Sequence, residues 1–141
     1  MKIVNFMFVT LLAIGSTACG QSTTQKTEIT QKKNMMDTSK LTNETVKKAF
    51  NAWQSGDGKT FLSFFTVDAR LYDDGNPRNL QNFVKEACGH EKFTTIEKVS
   101  NDGKHIIGNF HTESWGDFKT YFKFKIDEKG KFDRLDIGQA Q

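Results

Sequence analysis

Proline is almost missing from these 141 residues, with Pro77 the single one. Together with 11 Gly and 36% hydrophobic residues, that excludes a collagenous or Pro-rich chain and predicts one folded domain. Cysteine is as scarce: Cys19 and Cys88 allow one bridge at most, so a disulfide-stapled scaffold is excluded. No apolar run is long enough to span a bilayer, which needs about 17–25 residues; the longest covers residues 3–14. A charge excess of one sign is missing from most of the chain too. Residues 41–141 hold 15 Lys and Arg against 15 Asp and Glu, and the net +3 comes from Lys2 and the Lys-bearing stretch 20–40. Phosphate binding relies on clustered cations that release counterions, so no nucleic-acid partner is expected.

What is present begins with an address. Met1-Lys2, the mainly apolar residues 3–14 and the small residues Gly15-Ser16-Thr17-Ala18 before Cys19 have the layout of a secretory signal. The segment resembles a bacterial lipoprotein signal, in which a lipobox ends in an acylated Cys. Ser16-Thr17-Ala18-Cys19 fits at the small residues and departs at Ser16, where Leu is usual. Residues 1–18 are therefore expected to be a signal peptide and Cys19 a lipidation site, with the protein lipid-anchored in the cell envelope of a bacterium. Ordinary cleavage at the same place would make it secreted or periplasmic. Residues 19–40 are polar apart from Met35-Met36 and read as a tether spanning roughly 25 Å. The folded part is expected to be 41–141.

Within it, Val46, Ala49, Phe50 and Trp53 share one helical face behind a cap at Thr42 or Asn43, and Ser55-Gly56-Asp57-Gly58 stops that helix. Asp57 caps a short helix carrying Phe61, Leu62, Phe64 and Phe65. A brief strand, 69–73, leads to the turn Asp74-Gly75-Asn76-Pro77. Asn79 caps a third helix bearing Leu80, Phe83, Val84 and Ala87, which Gly89 stops. The period then changes to two, predicting strands at about 93–100, 104–115, 118–127 and 132–139, joined by turn-forming segments. Helices followed by an antiparallel meander predict an α+β fold.

This order, with WQSGDGKTFLSFFTVDARLYDDG at its front, resembles the SnoaL-like branch of the nuclear transport factor 2-like superfamily. Ser55-Gly56-Asp57, Phe64-Phe65, Asp68-Ala69 and Asp73 stand at the positions of the family's recurrent opening. The resemblance covers about residues 42–139 and implies a cone, a curved antiparallel sheet wrapped around three N-terminal helices with a ligand cavity between them. It also implies that Asp73 falls at the general-base Asp of ketosteroid isomerases, whereas their oxyanion-hole Tyr falls near Ala49. Cyclases and dehydratases of the branch use His and Asp in the same cavity, and many relatives are non-catalytic.

Strand parity proposes which side chains face the cavity. Phe118, Thr120, Phe122, Phe124 and Ile126 share one face and must point inward. If Gly116-Asp117 is a two-residue turn, Trp115 pairs with Phe118, Glu113 with Thr120, His111 with Phe122 and Asn109 with Phe124; an odd loop length reverses this. The expected pocket is then Trp53, Phe64, Leu71, Phe83, Asn109, Glu113, Trp115, Phe122 and Phe124, with Asp73 and His111 as candidate catalytic residues. Glu113 beside His111 would raise its pKa towards general acid/base use. The plainer alternatives are a satisfied core His and, for Asp73, a turn residue.

By the same parity Val99, Ile106, Phe110 and Tyr121 fall outside, a patch that suggests a homodimer. Cys88 reads as structural, and with His90 it is too little for a metal site, so no metal and no cofactor is expected. His105 is expected in solvent, and the Lys residues of 123–131 read as a solvated face. The expected function is binding of a small apolar molecule. A cofactor-free isomerase, dehydratase or cyclase using Asp73 and His111, with Glu113 or Asn109 orienting, is the first alternative. A protein-interaction module is the second.

Overall fold

A computed structural model describes residues 36–141. The expected signal peptide 1–18, Cys19 and most of the expected tether lie outside the described residues. Each helix starts where a short polar side chain can accept a free N–H of its first turn. Asn43 accepts from the Val46 N–H at 3.1 Å and opens α1, Glu44–Ser55. Asp57 accepts from Thr60 at 2.9 Å and opens α2, Gly58–Ser63; Asn79 accepts from Asn82 at 2.8 Å and opens α3, Leu80–Ala87. Gly56, left-handed at φ 76°, closes α1 as expected. Leu41 is buried, and Met36, ahead of the expected start of the folded part, packs against the core.

The strands are β1 (Phe65–Asp73), β2 (Asn76–Arg78), β3 (Glu91–Phe93), β4 (Lys98–Ser100), β5 (His105–Thr112), β6 (Gly116–Ile126) and β7 (Phe132–Gln139). They form one curved, unclosed α+β sheet in the order β2-β1-β7-β6-β5-β3, with β4 also on β5. Pairing is antiparallel except between β1 and β7, which run parallel and bring the first and last strands together at mid-sheet. Three strand expectations need correction. Residues 74 and 75, both at positive φ, make a tight two-residue hairpin that adds β2, where Pro77 is tolerated because the strand is an edge. The predicted strand 93–100 is broken into β3 and β4. Thr94 and Thr95 both direct their N–H groups at the Asn109 carbonyl, and the segment bulges over β5.

The third correction concerns the β5–β6 hairpin. Thr112 pairs with Gly116 and His111 with Asp117, so the loop is the three residues 113–115, closed by Gly116 at φ 75°. The loop is odd, and the parity of β5 is therefore the reverse of that expected. Ile106, Phe110 and Thr112 point into the core, while Asn109 and His111 lie on the outer face. Val99, opposite Ile106, packs against the core too, so of the four residues expected in an outer apolar patch only Tyr121 stays on the outer face, opposite Ile107. β6 keeps its expected inward face, with Phe122 opposite Ile137 and Phe124 opposite Leu135, and the pairing with β7 shifts by a bulge between Lys125 and Ile126.

Helices and sheet meet in an aromatic core. Trp53, 1% exposed, stacks on Phe83 at 5.3 Å and meets Phe61 and Phe122 edge-on at 5.1 and 5.4 Å. Phe93 carries the contacts on to Phe50, Phe110 and Phe122, and Phe65, Phe124 and Phe132 fill the far side. Trp53→Ala should cost about 3–5 kcal/mol, read as a lower urea midpoint, because no smaller side chain can bridge three helices and β6. A second expectation concerns Gly108. A Cβ there would stand 1.9 Å from the Thr95 carbonyl oxygen in the bulge. Gly108→Ala must push the β3–β4 segment outward and should destabilise by about 1–3 kcal/mol in the same measurement; an unchanged midpoint would show that the bulge yields freely.

Candidate functional site

A cleft of about 420 Å³ opens beside the aromatic core where the ends of β1 and β7, the β5–β6 hairpin, α3 and β3 meet; a second hollow, of about 490 Å³, is lined mainly by charged and polar side chains of 101–105, 123–126, Arg134 and Asp136. Its apolar walls come from Phe83 on α3, Phe110 on β5, Phe118 and Phe122 on β6 and Ile137 on β7. Trp115, in the hairpin loop and 82% exposed, stands at the rim. The alternation of β5 and β6 puts Thr112 and Thr120 on the same inner face, both buried and both satisfied. The Thr120 hydroxyl donates to the Gly138 carbonyl at 2.7 Å; that of Thr112 accepts the Trp115 N–H at 2.8 Å and holds the loop.

The charged side chains collect at one side. Asp73 ends β1 on the inner face, and Arg78 on β2 reaches it at 2.8 Å. The other arm of the guanidinium binds Glu86 on α3 at 3.1 Å, and its plane lies 4.8 Å above the Phe83 ring. Asp74 accepts the Gln139 N–H at 3.0 Å, its carboxylate filling the space that a Cβ at Gly138 would need. Glu91 on β3 is half-buried and has neither ion pair nor hydrogen bond to its carboxyl among the described residues. Burial raises its pKa, and the neighbouring Asp73 charge adds to the rise while Arg78 opposes it.

Of the residues expected in the pocket, the cleft holds Asp73, Phe83, Trp115 and Phe122. Trp53, Leu71 and Phe124 are instead packed inside the solid core, because neighbouring rings fill the concavity the resemblance implied would be open. Phe64 caps α2 and lies against Phe132. Asn109 and His111 are outside, and the exposed His111 ring meets the Asp117 carboxylate on the neighbouring strand. Glu113 is in the exposed loop, 3.2 Å from His90. Asp73 and His111 therefore do not converge, and Glu113 does not neighbour His111 on an inner face. Cys88 points its thiol at the Trp53 carbonyl, 3.8 Å away, and burial raises its pKa. His105 is half-buried rather than free in solvent, with burial and then Lys123 and Lys104 holding its pKa down.

Arg78, Glu91, Asp74, Thr112 and Phe110 also line the site without having been singled out for it, whereas Phe118 and Thr120 were expected on the cavity face. Phe110 and Thr112 had a legible signal: Gly116, four residues after Thr112, suits a three-residue loop closed by a left-handed residue. Nothing local marks Glu91, which enters the cleft only because β3 pairs with the end of β5.

No protein-family model and no curated protein sequence matches the chain. Solved structures do. A nuclear transport factor 2 (NTF2)-like protein from Cytophaga hutchinsonii superposes with a TM-score of 0.58 at 11% identity, over 74% of this chain and 95% of the other. A candidate polyketide cyclase from Sinorhizobium meliloti gives 0.57 at 17% identity, over 67% and 94%. The Orange Carotenoid Protein of Anabaena, which binds canthaxanthin, gives 0.55 at 20% identity over 67% of this chain; the chain spans only 35% of that larger protein. At these identities the shared property is the architecture: residues 36–141 have the NTF2-like, cystatin-type α+β fold.

Proposed function

We propose that the domain binds a small, largely apolar molecule in the cleft between α3, the β5–β6 hairpin and the ends of β1 and β7. The observation that carries this reading is the preformed hollow of about 420 Å³ with five apolar side chains in its walls and an exposed indole at its mouth. Most small-molecule sites have this constitution, apolar walls with a few fixed polar groups. A protein that shares this fold over 35% of its length binds canthaxanthin, an apolar molecule, which supports the reading. A second reading, a cofactor-free isomerase, dehydratase or cyclase, is favoured by the two unlike carboxyls of the cleft. Asp73 is ion-paired and suits a base, and Glu91 has its pKa raised and suits an acid. In that reading the partner of Asp73 is Glu91 and not His111.

The uncharged dye Nile red should bind saturably, one per chain, and Phe118→Ala should weaken it about five- to tenfold through lost apolar contact. Phe118 is the wall residue to change because it is only half-buried, so the core survives its removal. Dye binding that does not saturate, or is indifferent to Phe118, would remove the cleft from consideration.

The proposal includes anchoring to a bacterial membrane through acylated Cys19. It rests on the charged start, the short apolar run and Ser16-Thr17-Ala18-Cys19. No helix among the described residues is long and apolar enough to cross a membrane. Intact-mass measurement on protein from its own cells should show an acyl mass on an N-terminal Cys19, absent in Cys19→Ser. An unmodified Cys19 at the mature terminus would make the protein secreted without an anchor.

A further inference from the structure

The charges of the cleft are unbalanced, and the imbalance bears on what it takes. Three carboxylates, Asp73, Asp74 and Glu91, line it against one guanidinium, Arg78. That guanidinium is already committed, to Asp73 at 2.8 Å and to Glu86 outside the cleft at 3.1 Å. Its N–H groups on both arms are thus engaged elsewhere, and it reaches Glu91 only as a charge at longer range. Asp74 has at least a backbone N–H, from Gln139. Glu91 has no partner among the described residues, although it is half-buried beside the apolar walls. A carboxylate in that position has lost part of its hydration, and among the described residues no cation stands in hydrogen-bonding contact with it; the charges of Arg78 and His90 offset the loss only in part.

The walls around these acids are aromatic. Phe110 and Phe118 stand edge to face at 6.0 Å, and Trp115 lies at the rim. Ring faces attract cations through their quadrupoles, about 0.5–2 kcal/mol each according to how dry the site is. An anion entering the same space would face the carboxylates with only an Arg engaged on both arms to greet it. A neutral molecule would gain contact area alone and leave Glu91 unanswered.

We infer that the cleft selects a cationic amphiphile, an apolar body carrying a protonated amine or quaternary ammonium group, with Glu91 as its counter-ion and the aromatic rim packing on the cation. This rests on the cleft being a ligand site, as proposed above. Glu91 is then a specificity-determining residue: it chooses among molecules of similar shape by charge.

The test holds the shape constant and changes only the head group. Phenylbutylamine, phenylbutanol and phenylbutyrate are titrated calorimetrically into the purified full-length protein at pH 7 and low salt. The amine should bind about tenfold more tightly than the alcohol, and the acid most weakly. Glu91→Gln should abolish the preference for the amine over the alcohol within the same variant, whereas Lys92→Gln, next in sequence but exposed and outside the cleft, should keep it. An alcohol that binds as well as the amine, or an amine preference that survives Glu91→Gln, overturns the inference while leaving a ligand cleft. If none of the three binds, the ligand-binding reading fails and the inference with it.

Discussion

The seat of Trp53 is the constraint on which the rest of the domain depends. Its ring is covered on one face by Phe83 of α3 and met at its edges by Phe61 of α2 and Phe122 of β6. One side chain thereby fixes the position of every helix over the sheet. Among the described residues its indole N–H has no partner, at a cost of about 1–3 kcal/mol for a buried polar group, so the packing of the ring must outweigh that cost. Around it the Phe residues form a continuous ring-to-ring network rather than the lining of a chamber. The concavity of the sheet is consequently filled over most of its length.

Two of the Trp53 partners, Phe83 and Phe122, are also cleft walls. The floor of the candidate site is thus the outer surface of the core, and is as rigid as the packing behind it. The polar side is held differently, by exposed ion pairs that Arg78 makes with Asp73 and Glu86. Such pairs add little stability, but they orient the groups involved and engage both arms of the one guanidinium in the cleft. Glu91 is left as the carboxyl whose environment is incomplete.

How far the sequence could be read depended on whether a feature was local. Asn43, Asp57 and Asn79 were legible as caps, since a cap needs only its own first turn. The inward face of β6 was legible because Phe118, Phe122 and Phe124 alternate with Lys119, Lys123 and Lys125. The facing of β5 was legible too, since Ile106, Gly108, Phe110 and Thr112 alternate with the more polar His105, Ile107, Asn109 and His111. Parity inferred through the hairpin instead overrode that difference, and one residue of loop length moves His111 from cavity to solvent. The resemblance carried the fold correctly and the open chamber incorrectly, since fold likeness says nothing about how many Phe rings fill the space.

By itself, then, the sequence determined the helix starts, the α+β order of elements, the neutrality of the body and the aromatic material of the core. These follow from composition and from interactions within a few residues. Tertiary structure alone decided that β1 pairs in parallel with β7, that Glu91 reaches the cleft from β3, and that Arg78 is spent on two carboxylates. Each of these joins residues through strand pairing or through an element packed across the sheet, so no short window of sequence contains the cause.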